Sequence, residues 1–440
     1  PEGGRNASTV VAREIYEKLV NEEDARLCED LDEQACRERP RSFLLILGAQ
    51  FFTKLGDAVI SPKTTLAWLT QVVGAPAFVL GFLVPLRESG SLIPQVFIGG
   101  VIRRLPVRKW VWVAGSVAQA ACVAGIGVVA FTLTGPSAGL AILALIAAFS
   151  LARGFCSVAA KDVLGKTIPK RRRGQLTGWA ASAAGLVTVS VGGVLLLPVA
   201  NRPDGSPLGW LFVAAGGLWL AGAAIYAQVP EVPGETGGGR GGLEALKRLG
   251  LLATDAPFRR FVFTRALLMC SALSAPFFVA IAQGDDGSPT WVLGLFVVAS
   301  GVASLVSGPV WGRFADASSK RVMVAAALLT SSVGLTTFGV DRLAPGLLAT
   351  SWFLPVAYFV LSVAHGGVRV GRKTYVVDLA TGNRRTDYVA VSNTVIGVLL
   401  LVVGSVGALT PLIGNTGVIG LLALMGLAGA ALGSTLPEAS

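Results

Sequence analysis

Long apolar stretches recur along almost the entire sequence, and they constrain the fold more than any other feature. A helix needs about 20 apolar residues to cross the hydrocarbon core of a bilayer, and only helices and closed barrels can cross it. Only 14% of the 440 residues are charged and 53% are hydrophobic, whereas soluble domains carry about 25% charged residues. The chain is therefore predicted to be an all-α integral membrane protein.

Turn-forming residues divide the apolar sequence into twelve predicted transmembrane helices. These spans lie at residues 43–63, 77–102, 110–133, 138–160, 176–199, 208–229, 261–283, 291–312, 322–340, 346–368, 389–411 and 416–436. We expect a cytoplasmic tail with an amphipathic helix at 1–41 and a cytoplasmic linker with a second amphipathic helix at 231–260. Two six-helix bundles, at 42–230 and 261–437, complete the predicted organisation.

Basic residues are concentrated on one side of the predicted membrane. The connections after even-numbered spans, together with the central linker, contain 22 Lys and Arg residues, and the connections after odd-numbered spans contain only Lys63, Arg202 and Arg342. Because basic connections stay in the cytoplasm, both termini are predicted to be cytoplasmic, with the protein in the inner or plasma membrane. Topology thus explains the net charge of +11, and we expect no nucleic-acid partner.

The two predicted bundles show an internal repeat. A shift of 212 residues places Arg153-Gly154 on His365-Gly366 and Lys161 on Lys373. A constant offset between distant regions indicates a parallel pseudo-repeat, in which the binding site lies between the repeats near the middle of the membrane.

The connection after the eighth span resembles a known motif. Gly312-Arg-Phe-Ala-Asp316-Ala-Ser-Ser-Lys320-Arg321 is similar to the Gly-x-Leu-Ala-Asp-Arg-x-Gly-Arg-Arg/Lys motif of the major facilitator superfamily. The resemblance extends over about residues 43–437, although Ala317 and Ser319 depart from the motif and the first half has Arg104 where the family has Asp. It implies the fold of that superfamily, with twelve transmembrane helices that work by alternating access.

The resemblance also implies roles for particular residues. Gly312, Asp316, Lys320 and Arg321 would form a conformational latch that holds the outward-facing state, in which a carboxylate at a helix end pairs with Arg or caps a neighbouring helix. Helices 1, 4, 7 and 10 would line the central cavity.

Ionisable side chains inside the spans are candidate site residues, because burying one costs about 2.5–3.5 kcal/mol on insertion scales. The candidates for substrate binding or coupling are Lys54, Asp57, Arg87, Glu88, Gln95, Arg153, Arg265, His365 and Arg369. Lys54 and Asp57 can meet on one helix face, either as a structural ion pair or as part of the cavity. Gly90 and Pro94 are expected to bend or break the second span beside Arg87, Glu88 and Gln95.

A predominance of cations predicts the substrate class. Unpaired Arg side chains in a low dielectric attract carboxylates and phosphates, so the cavity is predicted to bind a small anionic or zwitterionic solute. Asp57, Glu88 and His365 are the candidate carriers of a coupled proton, although a single His can equally be a packing residue.

Other functional classes lack support in the sequence. No Walker loop, Rossmann glycine pattern or HExxH motif occurs, so we expect neither an enzyme nor a cofactor or metal site. The prediction is a monomeric, proton-coupled secondary transporter whose partners are its solute and the lipid bilayer. Two alternatives remain: a drug or lysolipid exporter or flippase of the same fold, and a non-transporting protein for assembly or sensing. Cys28 and Cys36 are expected to be free thiols.

Overall fold

A computed structural model describes the protein at residues 14, 33–102, 104–197, 206–234, 236, 248–284, 288–379 and 384–438. The predicted amphipathic helix of the tail and most of the linker lie outside these residues. Within them, the structure contains helices and no strand, in agreement with the predicted all-α class.

Twelve helical segments, α1 to α12, follow one another along the chain, and three of them are interrupted. The segments are α1 (Arg39–Val59 and Thr65–Val72), α2 (Phe78–Leu92 and Gln95–Ile102), α3 (Lys109–Thr132), α4 (Gly135–Thr167), α5 (Lys170–Leu195), α6 (Ser206–Ala227), α7 (Ala256–Leu267, Cys270–Leu273 and Ala275–Gln283), α8 (Thr290–Ala317), α9 (Ser319–Leu343), α10 (Phe353–Asp378), α11 (Arg384–Gly404) and α12 (Thr410–Ser434). Short helical turns at Glu33–Arg37, Arg248–Gly250, Leu251–Thr254, Pro345–Leu348 and Ser405–Leu409 lie between them.

Ten stretches of the described residues are long and apolar enough to cross a membrane. One of them, Val391–Ser434, has 44 residues and contains most of α11 and all of α12. A single helix of that length would be about 66 Å long, more than twice the hydrocarbon thickness. The interrupted α2, which carries Arg87 and Glu88, is not among the ten. Dividing the long stretch and adding α2 gives the twelve crossings of the predicted fold.

The first transmembrane helix extends further than the sequence predicted. It continues to Val72 after a break at residues 60–64, so Lys63 is not in an outer connection but in the middle of α1. Pro62 explains the break because it lacks an N–H and restricts the residue before it. The hydroxyl of Thr65 donates to the carbonyl oxygen of Val59, which satisfies one of the freed backbone groups.

A similar break occurs at the repeat-related position of the second bundle. The segments of α7 end at Leu267 and Leu273 and restart at Ala275, with Pro276 in the first turn; the offset of 212 residues relates Pro62 to Ser274. The predicted break in α2 is also confirmed, since its two segments end at Leu92 and restart at Gln95. Irregular backbone inside a membrane occurs where it is buried in protein or lines a cavity.

The two bundles contact each other closely at the end of the membrane opposite the basic connections. A Cβ atom on Gly192 of α5 would lie 2.7 Å from the backbone nitrogen of Val298 of α8, and one on Gly81 of α2 would lie 2.4 Å from the carbonyl oxygen of Gly404 of α11. Small residues let membrane helices approach closely, and at these two positions even the Cβ atom of alanine would clash. These contacts close the space between the bundles at that end.

Toward the basic end α5 and α8 separate. A Cβ atom on Gly178 of α5, or on Gly308 or Gly312 of α8, would have no neighbour within 4 Å. Phe314, near the end of α8, is 62% exposed. The space between the bundles is therefore open at the end that carries the basic connections.

At the basic end, a glutamate after α6 stabilises the first bundle. The carboxylate of Glu231 accepts hydrogen bonds from the backbone nitrogens of Arg108 (2.9 Å) and Lys109 (2.7 Å) at the start of α3. The ammonium of Lys166 lies 3.0 Å from the same carboxylate. Glu231 thus satisfies free N–H groups at a helix N-terminus, where a negative charge is favoured.

A glutamate after α12 occupies the corresponding place in the second bundle. Ser318, which caps α9, donates to the Glu438 carboxylate at 2.9 Å, and the ammonium of Lys320 lies 3.7 Å from it. Arg321 is 4.0 Å from Glu438 and largely exposed. Among the predicted latch residues, Lys320 therefore contacts its own bundle and Arg321 is largely exposed. The side chain of Asp316 lies outside the described residues.

The cysteines differ from expectation at one position. Cys36 is disulfide-bonded, so the prediction of a free thiol there was wrong. The separation of two cysteines in sequence does not show whether the fold brings their thiols within bonding distance. Cys122, Cys156 and Cys270 are free thiols.

Candidate functional site

A polar cavity of about 250 Å³ lies between the two bundles near the breaks in α1 and α7. Residues of α1, α2 and α4 form the wall on the side of the first bundle, and residues of α7, α8 and α10 form the opposite wall. The broken segment of α1 contributes Ser61, Pro62 and Lys63. The cavity thus lies where a parallel repeat is expected to bind its solute.

Asp57 links three helices of the first bundle. Its carboxylate accepts hydrogen bonds from Arg87 of α2 and from Arg153 of α4, the latter at 2.8 Å to each oxygen. The guanidinium of Arg87 also lies 4.0 Å from the ring centroid of Phe149. Both Arg side chains line the cavity, but Arg87 is 7% exposed and Arg153 is 40% exposed, so Arg153 presents more of its surface to it.

Glu88 and Arg369 face the cavity without such pairing. Both are exposed and line it, as does the partly buried Lys63. Within the described residues, no salt bridge includes any of these three side chains. Counting the described lining residues, four cations (Lys63, Arg87, Arg153 and Arg369) face two carboxylates (Asp57 and Glu88), so the cavity has a cationic surplus.

The wall formed by the second bundle has a different chemistry. It carries six hydroxyl groups, which we call the hydroxyl wall: Ser271, Ser300, Ser304, Ser307, Tyr358 and Ser362. The phenol of Tyr358 lies beside Ser300 and Ser362. Charged groups therefore predominate on one side of the cavity and neutral hydroxyl groups on the other.

His365 is oriented by a serine of the hydroxyl wall. Its Nδ1 lies 3.0 Å from the Ser271 hydroxyl, which also lies 3.0 Å from the carbonyl oxygen of Leu268. If the single hydroxyl proton goes to that carbonyl, Ser271 must accept from Nδ1–H, and Nε2 of His365 then remains an acceptor. This tautomer is assigned from the donation of the Ser271 hydroxyl to the Leu268 carbonyl oxygen.

Two predicted site residues, Lys54 and Arg265, are absent from the described lining of the cavity. Lys54 forms no salt bridge with Asp57, whose oxygens are occupied by the two Arg side chains. Arg265 is buried and donates to Ser392 and, at 2.9 Å, to Asn393 of α11, so it links helices within the second bundle. The side chain of Gln95 lies outside the described residues.

The sequence analysis missed Lys63 and the hydroxyl wall. Lys63 was assigned to an outer connection because the first apolar run appeared to end there. The sequence could have predicted part of the hydroxyl wall, since Ser300, Ser304 and Ser307 recur at helical spacing on α8. They were overlooked because charged residues dominated the search for a site.

Among the described residues, no group of three or more His, Cys, Asp or Glu is placed to hold a metal ion.

Sequence comparisons relate the chain to mycobacterial proteins. No family model matches it. Uncharacterized proteins of Mycobacterium tuberculosis and Mycobacterium bovis are 26% identical over 354 residues, which are 79% of this chain and 65% of those proteins. The chain thus spans less than two thirds of the length of these relatives.

Solved structures with a similar fold are transporters. The inward-open xylose transporter XylE from E. coli superimposes with a TM-score of 0.65 at 15% identity, covering 90% of this chain and 97% of that one. The nucleoside transporter NupG gives 0.69 at 13% identity, covering 90% and 99%, and a POT family transporter in complex with 5-aminolevulinic acid gives 0.64 at 10% identity, covering 89% and 95%. XylE is described as a major facilitator superfamily symporter. The chain therefore has the fold of the major facilitator superfamily.

Proposed function

We propose that the protein is a secondary active transporter that moves a small anionic or zwitterionic solute by alternating access, coupled to protons. The fold supports transport, since the similar structures include a D-xylose–proton symporter and a nucleoside transporter. Support for an anionic solute comes from the cavity itself.

The cationic surplus of the cavity is the observation that carries the proposal. Asp57 accepts from one nitrogen of the buried Arg87, and its contact with Arg153 likewise uses one nitrogen of that guanidinium. Arg153 therefore keeps further N–H donors, and Arg369 is exposed to the cavity. Guanidinium groups bind carboxylate and phosphate through a planar fork, so these two side chains are the proposed anion ligands.

Glu88 is the proposed proton carrier. Protonation of Asp57 would remove the charge that two Arg side chains contact, whereas Glu88 has no salt bridge within the described part of the chain. A proton on Glu88 would reduce the negative charge beside the anion site. Binding of the proton and of the anion would then favour each other, as coupling requires.

The orientation follows from the basic connections. If these lie in the cytoplasm, as the distribution of Lys and Arg predicts, the described arrangement is open to the cytoplasm and closed at the other end. Both termini would then be cytoplasmic, and the linker at 231–260 would join the two bundles on that side.

The exporter alternative fits the cavity less well. A site for lipophilic drugs or lysolipids is expected to be mostly apolar, but Leu361 and Ala275 are among few apolar side chains in a lining dominated by charged and hydroxyl groups.

A ligand-stabilisation screen tests the proposal. The full chain in detergent is heated with small anions, zwitterions, cations and lipid-like compounds, in parallel with Arg369→Gln and with Arg342→Gln, an exposed Arg outside the cavity. A ligand at about 100 times its Kd adds about 2.7 kcal/mol to the state that binds it.

We expect an anion to stabilise the wild type and Arg342→Gln but not Arg369→Gln, and the same anion to enter proteoliposomes along a proton gradient. Stabilisation by cations or lipids alone would contradict the proposal.

A further inference from the structure

The division of the cavity into a charged side and a hydroxyl wall limits the kinds of anion that fit it. An anion without hydroxyl groups can satisfy Arg153 and Arg369 but offers no donors to the opposite wall. Acceptors that lose contact with water and find no donor are unfavourable. The wall therefore discriminates against such anions when the cavity closes.

The hydroxyl wall contains acceptors that are free to receive hydrogen bonds. Ser304 donates its proton to the carbonyl oxygen of Ser300 at 2.9 Å, which leaves the lone pairs of its hydroxyl oxygen available. Nε2 of His365 is an acceptor in the tautomer given by the Ser271 contact. These groups require a ligand that donates hydrogen bonds.

Each hydroxyl group of a polyol donates one hydrogen bond and accepts others. Such a ligand could pair with serine hydroxyls on two helices, α8 and α10, while its charged end contacts the cations of the first bundle. Lys63, in the break of α1, adds a flexible point charge near this charged end.

We infer that the solute is a small polyhydroxylated organic anion, a polyol or sugar that carries one carboxylate or phosphate group. The anionic group contacts Arg153 and Arg369, and the hydroxyl groups contact the hydroxyl wall. This inference rests on the proposed function, since it specifies the substrate class of that same cavity. The cavity volume of about 250 Å³ limits the ligand to the size of a small molecule.

Three six-carbon compounds separate charge from hydroxyl recognition. Gluconate has both features, hexanoate has the carboxylate alone, and sorbitol has the hydroxyl groups alone. Glucose 6-phosphate tests a phosphate as the anionic group. Binding of each to the full chain is measured by thermal shift and isothermal calorimetry for the wild type, for Ser304→Ala and for Ser332→Ala. Ser332 is a matched control because it is an exposed serine of α9 that bonds within its own helix.

We expect gluconate or glucose 6-phosphate to bind more tightly than both hexanoate and sorbitol. Ser304→Ala should weaken that binding by about three- to tenfold, the range for one hydrogen bond, while Ser332→Ala leaves it unchanged. Preferential binding of gluconate assigns a carboxylate, and preferential binding of glucose 6-phosphate assigns a phosphate.

Hexanoate binding as tight as gluconate binding, with no effect of Ser304→Ala, would overturn the inference while leaving anion transport in place. Sorbitol binding as tight as either polyhydroxylated anion would overturn the requirement for charge and, with it, the proposed function.

Discussion

Arg153 donates from one guanidinium nitrogen to both carboxylate oxygens of Asp57, at 2.8 Å each. The contact links α4 to α1 within the first bundle, and Arg87 of α2 completes it from the other side. One carboxylate thus neutralises part of two cationic side chains and fixes their positions. The anion site of the proposed function depends on this arrangement.

Asp57→Asn is expected to destabilise the protein. It leaves the buried Arg87 without a carboxylate, and breaking a fully buried pair costs about 3–5 kcal/mol. Because Asp57 and Arg153 are partly exposed, we expect a loss of about 1–3 kcal/mol in the free energy of unfolding, measured by thermal unfolding in detergent. Asp341→Asn is the control, since its partner Arg342 is largely exposed. Equal melting temperatures for both variants would contradict this role of Asp57.

The two glutamates at the basic end are expected to differ in their contribution to stability. Glu231 has a fully buried side chain and accepts from two backbone nitrogens of α3, so Glu231→Ala should cost about 1–3 kcal/mol. Glu438 is 55% exposed, and Glu438→Ala should cost less than about 1 kcal/mol. Thermal unfolding of the two variants checks the difference; an equal or larger effect at Glu438 would contradict it.

Neighbouring glycines in α5 are expected to differ in their effect on the closed end. A Cβ atom on Gly192 would lie 2.7 Å from the backbone nitrogen of Val298, whereas one on Gly193 would have no neighbour within 4 Å. Gly192→Ala should therefore shift the population toward an arrangement that is open at that end. Gly193→Ala should not, although both changes raise helix propensity by about 1 kcal/mol.

Spin labels at the adjoining ends of α5 and α8 measure this shift as a longer distance. If both variants give the wild-type distance, the close contact does not control closure.

Glu88→Gln is expected to remove proton coupling while preserving solute binding. The amide keeps the size of the side chain but cannot exchange a proton. Uptake into proteoliposomes driven by a pH gradient should fall to background, whereas exchange of labelled for unlabelled solute should continue. Gradient-driven uptake that persists in the variant would exclude Glu88 as the carrier.

The sequence predicted the fold because hydrophobicity and the repeat are properties of the chain itself. The length of an apolar segment determines whether it can cross a bilayer. The 212-residue offset also relates the break in α1 to the break in α7. The break after Val59 shortened the apparent first span, however, because Pro62 and Lys63 resemble a connection when only hydrophobicity is considered.

The predicted pairing inside the membrane was less accurate because partners come from different helices. Lys54 and Asp57 share a helix face, but Asp57 instead pairs with Arg87 and Arg153. Arg265 was expected in the cavity, and its partners Ser392 and Asn393 are more than 120 residues away in sequence. No periodicity within one helix indicates which face a neighbouring helix will cover.

The contact of α2 with α11 brings backbone against backbone: Gly81 packs against Gly404 and Gly407. Surfaces of this kind exclude water without interlocking side chains, so no rotamer has to change before they part. Between α2 and α11 the Ser89 hydroxyl also donates to the carbonyl oxygen of Gly397 at 2.7 Å. The rest of the attraction comes from dispersion and weak Cα–H···O contacts, the latter worth about 0.5–1 kcal/mol each in net terms. The closed end is therefore tightly packed against solvent but held by few strong interactions. Small differences in ligand contact suffice to decide which end of the protein is open.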